Sequence, residues 1–583
     1  MRPIPVVLFV GIAIGGPAWG QNATPTATAG PATVNSPLAA ILIDELDHTM
    51  KSLTTEDGTK PYYVAYTATD ISSVVVAASL GALENRDADR SRLLDVDLRV
   101  GSYELDNTRE IRGGRGGGFD AGGAARGRPL PLEDDALAIQ HALWRATDRA
   151  FDAALERLKR VQTNMKTTVR EETEVPDFSK ETPSVYQEPR VELNLDLDAW
   201  ATRVRRLSRV ALAHPLIYDS SVTLAGTAEN RVMVSSEGAR VITGRKLIRV
   251  IVSAATKAED GMELSQSQIF DAASESGLPS DAEIQAAFEK VIATVLGLRA
   301  APLVEPFTGP AILMNRASGV FFHEIFGHRI EGHRQKSAEE GQTFTKMVSK
   351  PVLPEFLSVI DDPTRAQLGA QDLRGFYRYD DEGIPAQRVD LVKDGLLRTF
   401  LLSRSPLEGH SQSNGHGRRE PGREAVSRQG NLMVESTRTV PIEKLREMLR
   451  EECRKQARPF GYVFEDITGG FTTTTRGGPQ AFKVLPVVVW RVYADGRADE
   501  LVRGVDIVGT PLSCFSKIIC TGDDPAVFNG SCGAESGWVP VSAVSPSILV
   551  EQIEIEKRER SQSRLPILQP PVAEQPVVEK KER

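Results

Sequence analysis

Cysteine and histidine are both scarce in this chain of 583 residues, with four of the first and eight of the second. So few thiols exclude a disulfide-framework fold, in which bridges stand in for a large core. An excess of positive charge is also missing: 70 Lys and Arg stand against 79 Asp and Glu, a formal net charge of −9. A mildly acidic chain has no overall electrostatic reason to seek nucleic acid or an anionic membrane. No stretch reaches the roughly 18 apolar residues that span a bilayer, which argues against stable membrane insertion. What is present is ordinary globular composition, 40% hydrophobic and 26% charged. That suffices for large cores in a few domains of about 150 residues each.

The N-terminus reads Met1-Arg2-Pro3, then an apolar run from Ile4 to Ile14, then Gly15-Gly16-Pro17-Ala18-Trp19-Gly20. A basic residue, a short apolar core and small residues before a cleavage point make a secretory signal pattern, with Gln21 first after processing. No Cys follows the run, so a lipid anchor there is unsupported. The expected destination is the periplasm or the outside of the cell. Residues 21–37 are Ala/Thr/Pro-rich and read as a disordered spacer. Arg112 to Arg128 is an Arg/Gly stretch that the export signal makes a flexible surface loop rather than an RNA binder. After Glu559 the chain turns charged and Pro-rich and should fray.

Between these ends the patterning is globular. Leu93 to Tyr103 alternates like a strand, as does Glu192 to Asp198, and Arg231 to Ala254 looks like paired strands. Glu133 to Val161 carries Ile139, Leu143, Ala146, Phe151 and Leu158 on one broad helical face. Ser280-Asp281-Ala282-Glu283 is a capping box opening a helix with Ile284, Phe288, Val291, Ile292 and Val295 inward. Hairpin signals sit at Asp394-Gly395 and Asp495-Gly496. Ile442 to Lys455 is a helix whose common face includes Leu445, Leu449 and Cys453, which makes Cys453 a small buried hydrophobe.

Three of the eight histidines fall close together: His323, His328 and His333, in Phe321-Phe322-His323-Glu324-Ile325-Phe326-Gly327-His328-Arg329-Ile330-Glu331-Gly332-His333. The segment follows a strand candidate, Ala311 to Met314, and reads as a helix. His-Glu beside a second His is the arrangement in which two imidazoles hold zinc and the Glu deprotonates its water. The spacing is one residue longer than the familiar zinc-protease helix. At roughly 100° per residue, an i,i+4 pair diverges by about 40° and an i,i+5 pair by about 140°. A regular helix would point His323 and His328 apart. The expectation is a π-bulge or a break at Phe326–His328, where Gly327 tolerates distortion. Otherwise the histidines merely decorate an amphipathic helix. A third ligand is needed, and His333, Glu331 or a distant cysteine thiolate are the candidates.

His323-Glu324-x-x-x-His328 followed by Glu331-Gly332 resembles the metal motif of the TldD/PmbA family of metallopeptidases. Asp380-Asp381-Glu382-Gly383, Ser413-Asn414-Gly415-His416-Gly417-Arg418, Gly530-Ser531-Cys532-Gly533 and Val539-Pro540-Val541 match that family in the same order. The export signal departs from its cytoplasmic members. The resemblance implies Cys532, in a Gly-flanked turn, as the third zinc ligand, with His333 as its rival. Cys514 and Cys520 lie six positions apart and could form a disulfide in an oxidising compartment.

The resulting expectation is an exported zinc metallopeptidase of α+β class. An N-terminal α/β-type region of sheets and helices, residues 38–304, would serve substrate binding or dimerisation. A mixed, β-rich catalytic domain, residues 305–558, would follow, with a tail at 559–583. Glu324 would be the catalytic base, and His323, His328 and Cys532 the ligands of Zn2+. His416 or Arg418 would stabilise the oxyanion or hold the peptide, unless they are turn residues; Asp380, Asp381 or Glu331 would orient the histidines. The resemblance further implies extended or unfolded peptides as substrate, and a homodimer or a heterodimer with a related subunit. The rival expectation is a non-catalytic peptide-binding or assembly protein with a structural metal. A role as modulator of a DNA enzyme is disfavoured by the acidic balance and the export signal.

Overall fold

The computed structural model describes residues 35–111, 127–167, 175–337, 339–476, 482–509 and 514–558. The expected signal segment, nearly all of the spacer, the Arg/Gly stretch up to residue 126 and the tail from 559 lie outside the described residues. The class is α+β, with distinct N- and C-terminal regions.

The N-terminal region is one seven-stranded sheet: β1 (Pro61–Ser79), β2 (Ala82–Val100), β3 (Arg128–Pro129), β4 (Val185–Gln187), β5 (Asp219–Ser235), β6 (Arg240–Lys257) and β7 (Glu263–Ala272). Its order is β3-β2-β1-β5-β6-β4, with β7 on β6. Side chains alternate across a strand, so parity decides the face. Val64, Tyr66, Ala68, Val76 and Ala78 of β1 all point one way, beneath four helices. Helices α1 (Pro37–Ser52) and α2 (Ala136–Thr167) cover one end of that face through Leu42, Leu46, Ile139, Leu143 and Phe151. Helices α3 (Leu197–Ser208) and α4 (Asp281–Ala300) cover the other through Trp200, Val204, Phe288 and Val295. Tyr63 and Ala65 point the opposite way and pack with Phe178 and Met233. There Phe178 is gripped on its two neighbours Arg99 and Arg404, whose guanidinium carbons lie 3.7 and 3.8 Å from its ring centre. Arg404 comes from the C-terminal region, so this sandwich pins the two regions together.

The C-terminal region begins with β8 (Phe307–Leu313). It pairs in parallel with Phe460–Thr472 and antiparallel with Ile548–Lys557. Those strands continue through Phe482–Tyr493 and Val505–Gly509, closing a small barrel. Ala311 and Leu313 enter the largest core, while Ile312 joins Leu445, Leu449 and Cys453 under the helix Ile442–Lys455. A second, six-stranded sheet runs Leu396–Leu397, Val389–Lys393, Leu357–Asp361, Asn431–Ser436, Gly537–Ser545, Ala526–Ala534. The Asp394-Gly395 turn has φ of 48° and 75°, the paired positive values of a tight hairpin turn.

Two expectations are corrected. Glu192 to Asp198 is not a strand: Leu193, Leu195 and Leu197 do pack on the core, but the backbone has no strand partner. The Asn230 side chain instead bonds both Val191 N–H and C=O, and Asp196 caps α3 by accepting from Asp198 and Ala199 N–H. Cys514 and Cys520 form no disulfide. Cys514 lies in the largest core, whereas Cys520 sits in the cluster under the helix Ile442–Lys455.

Candidate metal centre

The barrel strand β8 leads straight into helix α5 (Asn315–Ile325), which is buried from Ala317 to its end and packs through Val320, Phe321, Phe322 and Ile325. His323 and Glu324 ride its last turn. The helix stops there: Phe326 departs to φ −99°, and Gly327–Arg329 tighten into a 3-10 turn. Of the two distortions that the spacing allowed, the chain uses the break. Arg329 secures it by donating from Nη1 to the carbonyls of Glu324 and Ile325, at 3.2 and 3.1 Å. A side chain at Gly327 would collide with the Gln429 amide.

The break turns His328 back toward His323. Their rings meet edge-on, with centres 5.1 Å apart. Cys532 arrives from the other sheet, and its Sγ lies 3.3 Å from each Nε2. The thiol sits in the strand Ala526–Ala534, opposite Val539, rather than in the turn expected from its glycine neighbours. The three donor atoms lie within 4.8 Å of one another, and the residues are 7%, 7% and 5% exposed. Around one tetrahedral ion with bonds of about 2.1 Å to nitrogen and 2.3 Å to sulfur, an N–S edge is about 3.6 Å. Both observed N–S edges are within a few tenths of that, so the donor set fits one ion of this kind.

The electrostatics are those of a charged cluster held out of water. Burial opposes ionisation of the Cys532 thiol, but His328, His323 and Arg428 outweigh it and hold the thiol well below its ordinary value. Burial likewise disfavours charge on the two imidazoles, yet Cys532 raises both, with Glu331 adding to the effect at His328. Glu324 is pushed up by burial against the pull of the two histidines. Its carboxylate stands 3.9 Å from His328 Nε2 and outside the donor set.

Around the donors a buried lattice fixes their orientation. Glu331 Oε2 lies 3.2 Å from His328 Nδ1 and accepts from Arg334 at 2.9 Å. Arg428 donates to Cys532 O at 2.7 Å and stands 3.5 Å from Glu331. Of the three acids offered as orienters, only Glu331 reaches a histidine. Asp380 instead accepts from the N–H groups of Glu382, Ile384 and Gly417, and Asp381 pairs with Arg231. His333 is not in the donor cluster; its Nε2 contacts Glu535. His416 is fully buried with Nδ1 on Asn414 and Nε2 on Asp361, so it is a loop staple. Arg418 donates to Gln429 O and lies against Tyr377. Sequence reasoning missed Arg428, Arg334 and Glu535, because nothing in a sequence separates a buried arginine from a solvated one.

Residues 307–557 match the PmbA/TldA metallopeptidase C-terminal domain. A metalloprotease of Archaeoglobus fulgidus is 28% identical over 249 residues, 42% of this chain and 53% of that one. The metalloprotease TldD homolog of Buchnera aphidicola is 27% identical over 253 residues, 42% and 48% of the two chains. The chain thus spans about half the length of the curated relatives it matches. The solved structure of TldE from Thermococcus kodakarensis shares the fold, with a TM-score of 0.57 over 88% of this chain and 100% of that one, at 12% identity. At the family level, the chain matches the TldD/PmbA metallopeptidases.

Proposed function

We propose that the chain is a zinc-dependent metallopeptidase acting on extended or unfolded peptides. His323, His328 and Cys532 would hold the ion, and an imidazole–thiolate set suits zinc. The observation that carries this reading is a three-donor cluster with the Glu324 carboxylate beside it and unused by it. Zinc bound there supplies a Lewis acid for the scissile carbonyl and brings the pKa of water toward 7. Glu324 takes the proton from the attacking water and returns it to the leaving amine. Burial keeps its carboxyl above the ordinary range, which makes it a stronger base than a surface glutamate. Glu331 fixes the orientation of His328, and Arg428 that of the Cys532 segment. Export after loss of residues 1–20, and pairing with a second copy or a related subunit, belong to the same proposal. Mass measurement of the exported protein and its mass in solution test them. No described helix is long and apolar enough to cross a membrane.

A second reading asks less of the molecule: a non-catalytic peptide-binding or assembly protein with a structural metal. The donors' exposure of 5–7% and the 8% of Glu324 favour it, since structural sites are closed. One experiment separates the two. Metal content and hydrolysis of an unstructured peptide library are measured for wild type, Glu324→Gln and Cys532→Ala. Peptidase action requires metal in wild type and Glu324→Gln, hydrolysis only in wild type, and metal loss in Cys532→Ala. Bound metal without hydrolysis in any preparation, including mixtures with a related subunit, establishes the second reading.

A further inference from the structure

The imidazole and thiol halves of the donor set come from segments far apart in the chain, and two arginines span them. Arg428 reaches the thiol strand through the Cys532 carbonyl. The other is Arg334, buried in the short helix Gly332–Lys336. Its Nε donates to Glu331 Oε2 at 2.9 Å, and its Nη2 donates to Glu535 Oε2 at 2.9 Å. Its Nη1 donates to Glu340 Oε1 at 3.0 Å and to Thr474 Oγ1 at 3.1 Å. The first two acids hold matching places. Glu331 stands three residues past His328 and lies 3.2 Å from its Nδ1. Glu535 stands three residues past Cys532, in the turn between the strands Ala526–Ala534 and Gly537–Ser545. The second oxygen of Glu535 contacts His333 Nε2. Burial opposes charge on Glu535, but His333 and then Arg334 outweigh it and hold its carboxyl far below the ordinary range.

A guanidinium is a rigid plane with fixed N–H directions, so acids bonded to one such group keep a fixed separation. Arg334 thereby ties the turn beyond Cys532 to the acid that steadies His328. Without it, Glu331 and Glu535 would be neighbouring like charges in an interior that screens them poorly. Their repulsion would drive the turn, and Cys532 with it, away from His328. We propose that Arg334, acting through Glu331 and Glu535, is a positioning residue that clamps the imidazole arm to the thiol arm and so sets how the three donors meet one ion. This deepens the metal-centre reading and rests on its donor set.

The test titrates the metal-free chain with Co2+, whose thiolate-to-cobalt absorption reports the bond to Cys532. Arg334→Gln should bind Co2+ about 10–100-fold more weakly and show less of that absorption per bound ion. Arg334→Lys should recover part of both. Glu535→Gln should resemble Arg334→Gln, and the double variant should be no weaker than Arg334→Gln, since both remove one link. A second measurement needs no ion: labelling of Cys532 by iodoacetamide in the metal-free chain, located by peptide mass. It should be slow in wild type and about tenfold faster in Arg334→Gln and Glu535→Gln. Cys453, buried under the distant helix Ile442–Lys455, should stay unlabelled in all of them. Wild-type Co2+ affinity and absorption in Arg334→Gln overturn the clamp, as do additive losses in the double variant. Cys453 labelling that rises in step with Cys532 overturns it too, because it reports general loosening. A wild type that takes up no Co2+, with the labelling difference intact, sinks the metal reading and leaves the clamp standing.

Discussion

Arg428 has no solvent with which to share its charge: it is fully buried and serves Cys532 O, Ser536 Oγ and Gly537 O while facing Glu331. Its planar fork ties the strand bearing the thiol to the acid that steadies His328. Removing one member of such a buried pair costs about 3–5 kcal/mol, because the other is left uncompensated. Arg428→Met should lower stability by that order in chemical denaturation and weaken metal retention, and Arg428→Lys should rescue only part, since an ammonium cannot fill the fork. Glu382 invites a pH test instead. Burial, then the neighbouring Asp380, push its carboxyl up to about 8, against the Arg404 N–H that it accepts at 2.8 Å. The folded state therefore holds this proton over a range where the unfolded chain has released it, and stability falls as pH rises from about 5 to 8. In Glu382→Gln, the decline of melting temperature across that range should be shallower than in wild type.

Among elements, helix α4 and the α5 break behave differently as signals. The capping box at Ser280 and Glu283 is complete, with Ser280 Oγ accepting from Glu283 N–H and the Glu283 side chain accepting from Ser280 N–H. Ser280→Ala should cost about 1 kcal/mol, read from the denaturation midpoint at unchanged slope. Gly327→Ala should cost more, about 1–3 kcal/mol, because the new methyl must displace the Gln429 amide from a packed interior. Its metal content should fall too, since Gln429 Nε2 donates to His323 O. The cap and the Asp394-Gly395 turn were legible because they are local chemistry. The break was legible as geometry, from an i,i+5 pair that no straight helix can converge. Cys532 became a candidate ligand only through family resemblance, since 209 positions separate it from His323. Glu192 to Asp198 misled because alternating leucines report which side is buried, not whether the backbone has a partner.

For the whole molecule, the interlock at Phe178 carries the coupling between regions. This ring is 2% exposed, edge-on to Tyr63 and flanked by Arg99 and Arg404, while Arg404 also pairs with Glu237 at 2.8 Å. Phe178→Ala should cost about 3–5 kcal/mol and split one thermal transition into two, observed by calorimetry. A chelator should lower the melting temperature of wild type and leave Cys532→Ala unmoved, because a ligand stabilises only the state that binds it.

The separation between the two halves of the donor set also bears on the order of assembly. The two imidazoles come from neighbouring turns, His323 at the end of α5 and His328 in the 3-10 turn after it, but the sulfur arrives only after 203 further residues, those between His328 and Cys532. Loop closure over such a length costs entropy before it returns any contact. An ion held by all three donors would therefore be captured late, once the strand that carries Cys532 has been made and paired. Such capture would act as a proofreading step: a chain interrupted anywhere before the strand that carries Cys532 would offer two nitrogens alone, too few for firm retention, and would declare itself unfinished by staying empty.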